Sequence, residues 1–306
     1  MDESARATNC RLLGGGGHPV SVPVVEGLLQ RHGFGKRQAR KMKSAGEHAE
    51  RNAQFERISE HKAAFATGPP LLSMDSKKKE LVGNFWRKGE LWTKEVVKTL
   101  DHDFPSLASG VVIPHGLYDL RANLGYVSLG TSSDTSEFAV ESMLGWWGEQ
   151  GRALYPEAAE ILLLCDGGGS NSARTYLFKQ DLLRFTATTG LRVRVAHYPP
   201  YTSKWNPIEH RLFPHLTRAC AGVVLTSVGL VRELMSGAKT ATGLEVTVKI
   251  LDKVYEKGRQ VAEAVKEEIR YQAGQVREKA RIVYDEKLPR WNYRVFPRYV
   301  NVGDVI

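Results

Sequence analysis

Apolar residues along the chain fall into runs whose period changes from one stretch to the next. The densest is "EILLLCDGGG", where Ile161 to Cys165 are all apolar and one acid, Asp166, follows at the mouth of a glycine loop. An uninterrupted apolar run of this length, closed by a turn signal, predicts a strand buried on both faces. "LRVRVAHYPP" alternates instead, Leu191, Val193 and Val195 on one face and arginines on the other, which predicts another strand. Between them, "SARTYLFKQDLLRFTATTG" gathers Tyr176, Leu177, Leu182, Leu183 and Phe185 on or near one helical face, with Gly190 as the stop. Upstream, "PLLSMDSKKKELVGNF" reads as a strand ending in Asp75, a turn and more strand. "GLYDLRANLGYVSLGT" reads as a hairpin divided at Asn123 and Gly125. "SSDTSEFAVESMLGWWGEQGRALYP" opens with Ser, Asp and Thr cap candidates and continues with Phe138, Met143, Leu144 and Trp147 at helical spacing.

Downstream, "NPIEHRLFPHLTRACAG" and "SVGLVRELMSGA" predict helices, and "LEVTVKIL" predicts a strand. A long charged helix is expected over roughly 258–283, with Val261, Val265, Ile269, Val276 and Ala280 as its narrow apolar stripe. Strands and helices alternating in this way predict an α/β sandwich around one parallel or mixed sheet. The tail "KLPRWNYRVFPRYV" interleaves basic and aromatic residues. That mixture suits phosphate and base contact, and equally a terminal strand that packs its aromatics on the core.

Residues 1–69 break the pattern. "GGGGHPVSVPVV" predicts loop, and the polar stretch after it is helical in tendency, with Leu28, Leu29, Phe34 and Met42 as sparse anchors. Arg31, Lys36, Arg37, Arg40, Lys41 and Lys43 follow one another without an acid between them. This segment fits a phosphate-contacting arm or a helix-turn-helix remnant, or simply a solvated helix face. The predicted division is 1–69, a basic N-terminal segment; 70–225, the α/β core; and 226–306, a C-terminal extension.

Composition narrows the partners. The 306 residues carry a formal net charge of +9, which favours polyanions, nucleic acid above all. No apolar run is long enough to span a bilayer, and the acidic opening "MDESARATNC" lacks the apolar core of a secretion signal. Three cysteines, Cys10, Cys165 and Cys220, form no C-x-x-C pair, which argues for a reduced, cytoplasmic protein without a disulfide frame or cysteine zinc site. "GGGSN" lacks the Gly-Lys-Ser/Thr of a nucleotide-binding loop. His210 and His215 stand on different faces of a helix, unlike zinc ligands.

Three carboxylates stand out by position. Asp75 ends the first strand, Asp166 ends the most apolar one, and Glu209 lies in the first turn of the helix at "NPIEH". Sites in open α/β sheets lie beyond the carboxyl ends of strands, and three acids meeting there would make an oxygen-only site for Mg²⁺ or Mn²⁺. Each acid alone also fits a structural role: a turn former for Asp75, a turn cap for Asp166, and for Glu209 a capping box with Asn206 as cap and Pro207 next.

The stretches "MDSKKKELVGNF", "LLLCDGGGSN", "HYPPYTSKWNPIEHRLF" and "LPRWNYRVFP" together resemble a bacterial insertion-sequence group, the Rhodopirellula-type DDE transposases, over about residues 50–298. The block "PPYTSKWNPIEHRLF" is the most specific of them and is also similar to mariner-like transposases. The resemblance implies an RNase H-like mixed sheet flanked by helices, of the retroviral-integrase type. It implies that Asp75, Asp166 and Glu209 are the metal-binding triad of a two-metal Mg²⁺ or Mn²⁺ site. The implied reaction is DNA cleavage and strand transfer on double-stranded DNA, transposon ends and target, by a homodimer in the bacterial cytoplasm and nucleoid. Family members are longer at the N-terminus, so the chain reads as a truncated copy.

Residues near the acids in sequence are DNA-binding candidates: Lys77, Lys78, Lys79 and Lys204 for phosphates, Ser170 and Asn171 as donors beside the glycines, and His210 and Arg211 after Glu209. The competing readings are a non-enzymatic remnant that only binds DNA and a nuclease that hydrolyses without joining. Acids too far apart to share metals would favour the remnant.

Overall fold

The computed structural model describes residues 21–35, 37, 49–168, 175–270 and 278–304. The chain divides into two compact units, Met1–Ser44 and Ala45–Ile306. In the first unit, helix α1 spans Val22–Arg31. It begins inside the stretch expected to be loop, because Pro23 fixes a helical φ in the first turn, where its missing N–H costs nothing. Of the basic run, Arg31 and Arg37 lie among the described residues; Lys36, Arg40, Lys41 and Lys43 lie outside them.

The second unit is an α/β sandwich. Its strands are β1 (Leu71–Ser76), β2 (Glu80–Val82), β3 (Gly110–Asp119), β4 (Leu124–Gly130), β5 (Glu160–Cys165), β6 (Arg192–His197), β7 (Glu245–Leu251), β8 (Lys279–Tyr284) and β9 (Asn292–Asn301). They follow the order β7-β4-β3-β1-β5-β6-β9-β8, with β2 paired to β3. β1, β5 and β6 run parallel, while β3 and β4 form the antiparallel hairpin beside β1. That order is the RNase H-like sheet, extended on one edge by β7 and on the other by β9 and β8. β5 is the innermost strand: Ile161 to Cys165 are each fully buried, as a continuous apolar run requires. The hairpin turns at Asn123, whose φ of 56° is the left-handed conformation that Asn tolerates.

One face of the sheet packs against α3 (Ser136–Trp146) and α4 (Tyr176–Thr189), through Met74, Leu163, Val193 and Val195 on the strands and Met143, Trp146, Phe178 and Leu182 on the helices. Thr135 caps α3 and Gly190, at φ 76°, ends α4. The other face carries two clusters. α2 (Arg51–Ala64) covers Leu162, Leu164 and Ala196 with Ile58. α5 (Ile208–Arg211), α6 (Phe213–Ala219) and α7 (Val228–Ser236) cover Val112, Val127 and Leu129.

Two expectations need correction. The helix expected from "NPIEH" onward is two short helices, broken at Leu212, where φ is −122°; Pro214 has no N–H to continue the first one. The long helix expected over 258–283 is α8, Glu263–Ile269, followed after the undescribed residues 271–277 by strand β8. Val276 lies outside the described residues, and Ala280 sits in β8, paired with Val300 of β9. The aromatics of the tail are core for the most part: Trp291, Tyr293 and Phe296 are buried and Tyr299 is exposed.

Candidate acidic site at the strand ends

β1 and β5 are parallel neighbours, and Met74 pairs with Cys165, so the next residue on each strand is an acid: Asp75 beside Asp166. Both side chains fall on the face that α2 and α5 cover, because Leu72, Met74, Leu163 and Cys165 face the opposite core. Glu209 arrives from α5. A buried pair of polar side chains brings it there: Ser73 donates through Oγ to Asn206 Oδ1, Asn206 Nδ2 donates to the carbonyl of Met74 at 3.1 Å, and the amide of Ile208 donates to Ser73 Oγ at 3.0 Å. The start of α5 is therefore tied to the strand that carries Asp75. This also replaces the capping-box reading, since Asn206 spends its amide on β1 and makes no side-chain cap. Gly116, opposite Asp75 in β3, completes the fit. A Cβ there would meet Phe213 at 2.8 Å and Ile208 at 2.9 Å, so only glycine lets the helices lie this close.

The electrostatics record the crowding. Burial, and next the charge of Asp166, push Asp75 up to about 7; the Ser76 amide, 2.8 Å from Asp75 Oδ1, pulls against them, and Glu209 and Asp134 add to the rise. Asp166 is raised by burial, with Glu209 and Asp134 adding and the Gly168 amide opposing. Burial raises Glu209, against the nearby charges of His210 and Lys77. Like charges held together favour the protonated forms, and a divalent cation is the alternative way to offset their repulsion. The donor chemistry, oxygen only, suits a hard cation. The spacing is looser: among the described residues, no three acid, His or Cys side chains are close enough together to hold a metal.

Asp134 was legible in the sequence only as a cap candidate. Thr135 performs the capping, and the Asp134 carboxylate instead accepts from Ser76 Oγ at 3.0 Å and acts on Asp75 and Asp166. His115, opposite Ser76 in β3, is fully buried, and neither ring nitrogen has a hydrogen-bond partner. Burial holds it at about 4, with Asp134 opposing, so the ring is uncharged near neutrality.

His197 steadies Asp166 from below. Its Nδ1 lies 3.1 Å from the Asp166 carbonyl and its Nε2 lies 3.1 Å from the Tyr293 hydroxyl. A carbonyl can only accept, so Nδ1 carries the proton. Burial lowers the ring to about 4, so Nε2 keeps its lone pair and accepts from Tyr293. Beyond Asp166, a Cβ on Gly167 would lie 2.8 Å from the Tyr198 carbonyl, so that glycine is explained by the neighbouring chain. Ser170 and Asn171 lie outside the described residues.

The candidate phosphate-binding residues divide. Lys77, Lys78 and Lys79 line one groove of about 1300 Å³ together with Glu209, Trp86, Arg87 and Lys88. Lys77 pairs with Glu80, while Lys78 and Lys79 are exposed. Lys204 lies outside that lining, its ammonium 5.4 Å from the centre of the Trp205 ring. His210 turns its ring to the Lys204 carbonyl, and Arg211 is exposed on α5.

The charge on Asp75 makes a stability prediction. Its folded-state pKa is raised, so the native protein holds the proton more tightly than the unfolded chain does. Stability is then greatest below the ordinary carboxylate range and falls as pH rises from about 4 through about 7. Asp75→Asn is expected to match the wild type near pH 4.5 and to exceed it at pH 8 by about 2 kcal/mol once partial exposure is allowed for. Paired melting curves in chelator at the two pH values check this; an equal difference at both would show that Asp75 carries no such strain.

A family model described as the Rhodopirellula transposase DDE domain matches residues 2–297. No curated protein matches. Among solved structures, the Mos1 transposase paired-end complex with left transposon end is similar at 16% identity and a TM-score of 0.46, over 70% of this chain and 61% of that one. The Mos1 mariner paired end complex with Mn aligns at 14% identity and 0.45, over 70% and 62%. The Mos1 Strand Transfer Complex aligns at 16% and 0.44, over 70% and 61%. The chain thus spans about three-fifths of the length of the solved chains it matches. Among the described residues, no helix is long and apolar enough to cross a membrane.

Proposed function

The chain belongs to the DDE-domain family of Rhodopirellula-type transposases, and from that premise we propose that it cuts and joins DNA strands at a site made by Asp75, Asp166 and Glu209. The observation that carries this is the mutual charge of the three acids at the ends of adjacent parallel strands and of α5, with Asp75 driven up to about 7. In this reading, Asp75, Asp166 and Glu209 hold Mg²⁺ or Mn²⁺, and the chemistry such cations supply when bound is Lewis-acid stabilisation of the attacking and leaving oxygens of a phosphodiester.

The chain's own residues do the rest. Lys78, Lys79, Arg87 and Lys88 give the groove beside Glu209 a positive wall for the DNA backbone. Lys77 adds a charge close to Glu209. His197 and Tyr293 hold the Asp166 backbone still, which favours in-line attack. In the hydrolytic step, a water oxygen bonds to phosphorus and gives up a proton, the bond from phosphorus to the 3′ oxygen breaks, and the leaving oxygen takes a proton. In strand transfer, the freed 3′ hydroxyl attacks a target phosphodiester, one P–O bond forming as another breaks. A homodimer on paired DNA ends is part of the proposal.

A second reading has its own observation. The lack of three metal-holding side chains in close company among the described residues favours a remnant that binds DNA without cutting it. Purified protein incubated with its element-end duplex in Mg²⁺ or Mn²⁺ separates the two. Nicked and joined products support the enzyme; retarded but intact DNA supports the remnant; nicks without joined products point to a nuclease.

A further inference from the structure

A second charged site lies on the same face of the sheet, about 13 Å back along the strands from Asp166, since Arg194 pairs with Leu162, four residues before that acid. Ile58, Leu164, Ala196 and Tyr198 fill the space between as an apolar cluster, so the two sites are separate. Here α2, β6, β8, β9 and the turn between the last two line a half-open cavity of about 130 Å³, large beside the about 10–15 Å³ that admits a water molecule.

Its lining is unusual in charge. Arg57, Arg194, Arg294 and Lys287 contribute four positive charges; Asp285 and Glu286 in the lining oppose them, and Glu60 and Glu160 do so from beyond it. Arg194 and Arg294 stand directly opposite each other on antiparallel β6 and β9. Like charges in that position destabilise a sheet, and neither residue is fully exposed. Arg194 reaches Glu160 at 3.3 and 3.5 Å, long for an Arg–carboxylate pair. Arg57 pairs with Asp285 and with Glu60. His61, only 4% exposed, also lines the cavity, and its Nε2 is buried without a hydrogen bond, 3.8 Å from Asp285 Oδ2.

We propose that this cavity is a subsite for a phosphate group, held by the Arg194–Arg294 pair and Arg57, with His61 Nε2 as a further donor. Guanidinium forks match the tetrahedral oxygens of phosphate. An anion between the two arginines offsets their repulsion and gives the orphaned imidazole nitrogen a partner. The phosphate comes either from a DNA backbone or from a free phosphate or pyrophosphate. The cavity's place on the acidic face makes a phosphodiester several nucleotides from the scissile bond the natural occupant.

His61 supplies the readout. Burial, and next the charges of Arg57 and Arg194, hold it at about 4; a phosphate nearby favours the imidazolium and raises it. The test follows the His61 ring by NMR across pH in the full chain, at constant ionic strength. The arms are sodium chloride alone, inorganic phosphate, pyrophosphate and a short duplex. A saturable rise of at least about one pH unit with any phosphate arm over chloride is expected, and the arm that produces it identifies the source. Arg294→Met and Arg194→Met are each expected to weaken that effect at least tenfold, while Asp166→Asn keeps it, so this site and the acidic site fail independently. A His61 titration that no phosphate arm moves, or that both arginine variants preserve, overturns the proposal and leaves a hydrated ion-pair network.

Discussion

With Asp166 replaced by Asn, the protein is expected to fold and to bind end DNA as before, yet to cut it on the order of 1000-fold more slowly in Mg²⁺ or Mn²⁺. Losing a partner that only orients a metal ligand costs about 10- to 100-fold, and losing a ligand itself should cost more. The change is nearly isosteric and removes a charge that burial already disfavours. Its melting temperature at pH 8 should therefore equal or exceed that of the wild type, which separates lost chemistry from lost fold. The two measurements belong together: single-turnover cleavage of an end duplex, and a melting curve on the same preparation. Cleavage at the wild-type rate would remove Asp166 from the proposed triad and return it to the role of a turn former.

The second large effect is expected at Asn206, a fully buried residue that touches no DNA in the proposed reaction. Asn206→Leu removes the donor to the Met74 carbonyl and the acceptor of Ser73 Oγ. The Ser73 hydroxyl proton is then buried without an acceptor and the Met74 carbonyl loses one of its donors, at about 1–3 kcal/mol each, so a loss of about 3 kcal/mol in unfolding free energy is expected. Because Ser73 also receives the Ile208 amide, the entry to α5 loosens and Glu209 loses its fixed place beside Asp75. Cleavage should fall at least about 10-fold at a temperature where the variant remains folded. Denaturant unfolding and cleavage assays at 10 °C check the two parts. A variant that is destabilised but cuts normally would show that Glu209 needs no support from β1.

The strength of that network also explains what could and could not be read from the residues. β5 was legible because five consecutive apolar side chains have no other use than a strand covered on both sides. Asp166 was legible because it ends that strand. Asn206, Pro207 and Glu209 match a local capping pattern, and a local pattern holds no information about Ser73, 133 residues away. The long-range partner won. The stretch around Ala280 and Ile282 fits a helical stripe as well as an alternating one, and pairing with β9 decided it. Asp134 was hidden by its neighbour: an acid one residue before a threonine cap looks like part of the cap. The phosphate candidates split for a similar reason, since nearness in sequence to an acid put Lys78 and Lys79 in the groove and left Lys204 outside its lining.

The extension of the sheet by β9 has a consequence for how the protein comes into being. Gln54, on the helix that precedes β1, donates to the His197 carbonyl at 2.8 Å and to Asn292 Oδ1 at 3.0 Å, and Asn292 returns a bond of 2.7 Å to Gln54. Contacts that join positions 238 residues apart are slow to form. They cannot form at all until Asn292 has left the ribosome. β5 and its acid are synthesised well before that, but the histidine that bonds the Asp166 carbonyl receives its tyrosine only from residue 293. A chain that stops short of β9 thus lacks the bonds that steady Asp166, and the proposed site settles only when α2 and β9 close on each other.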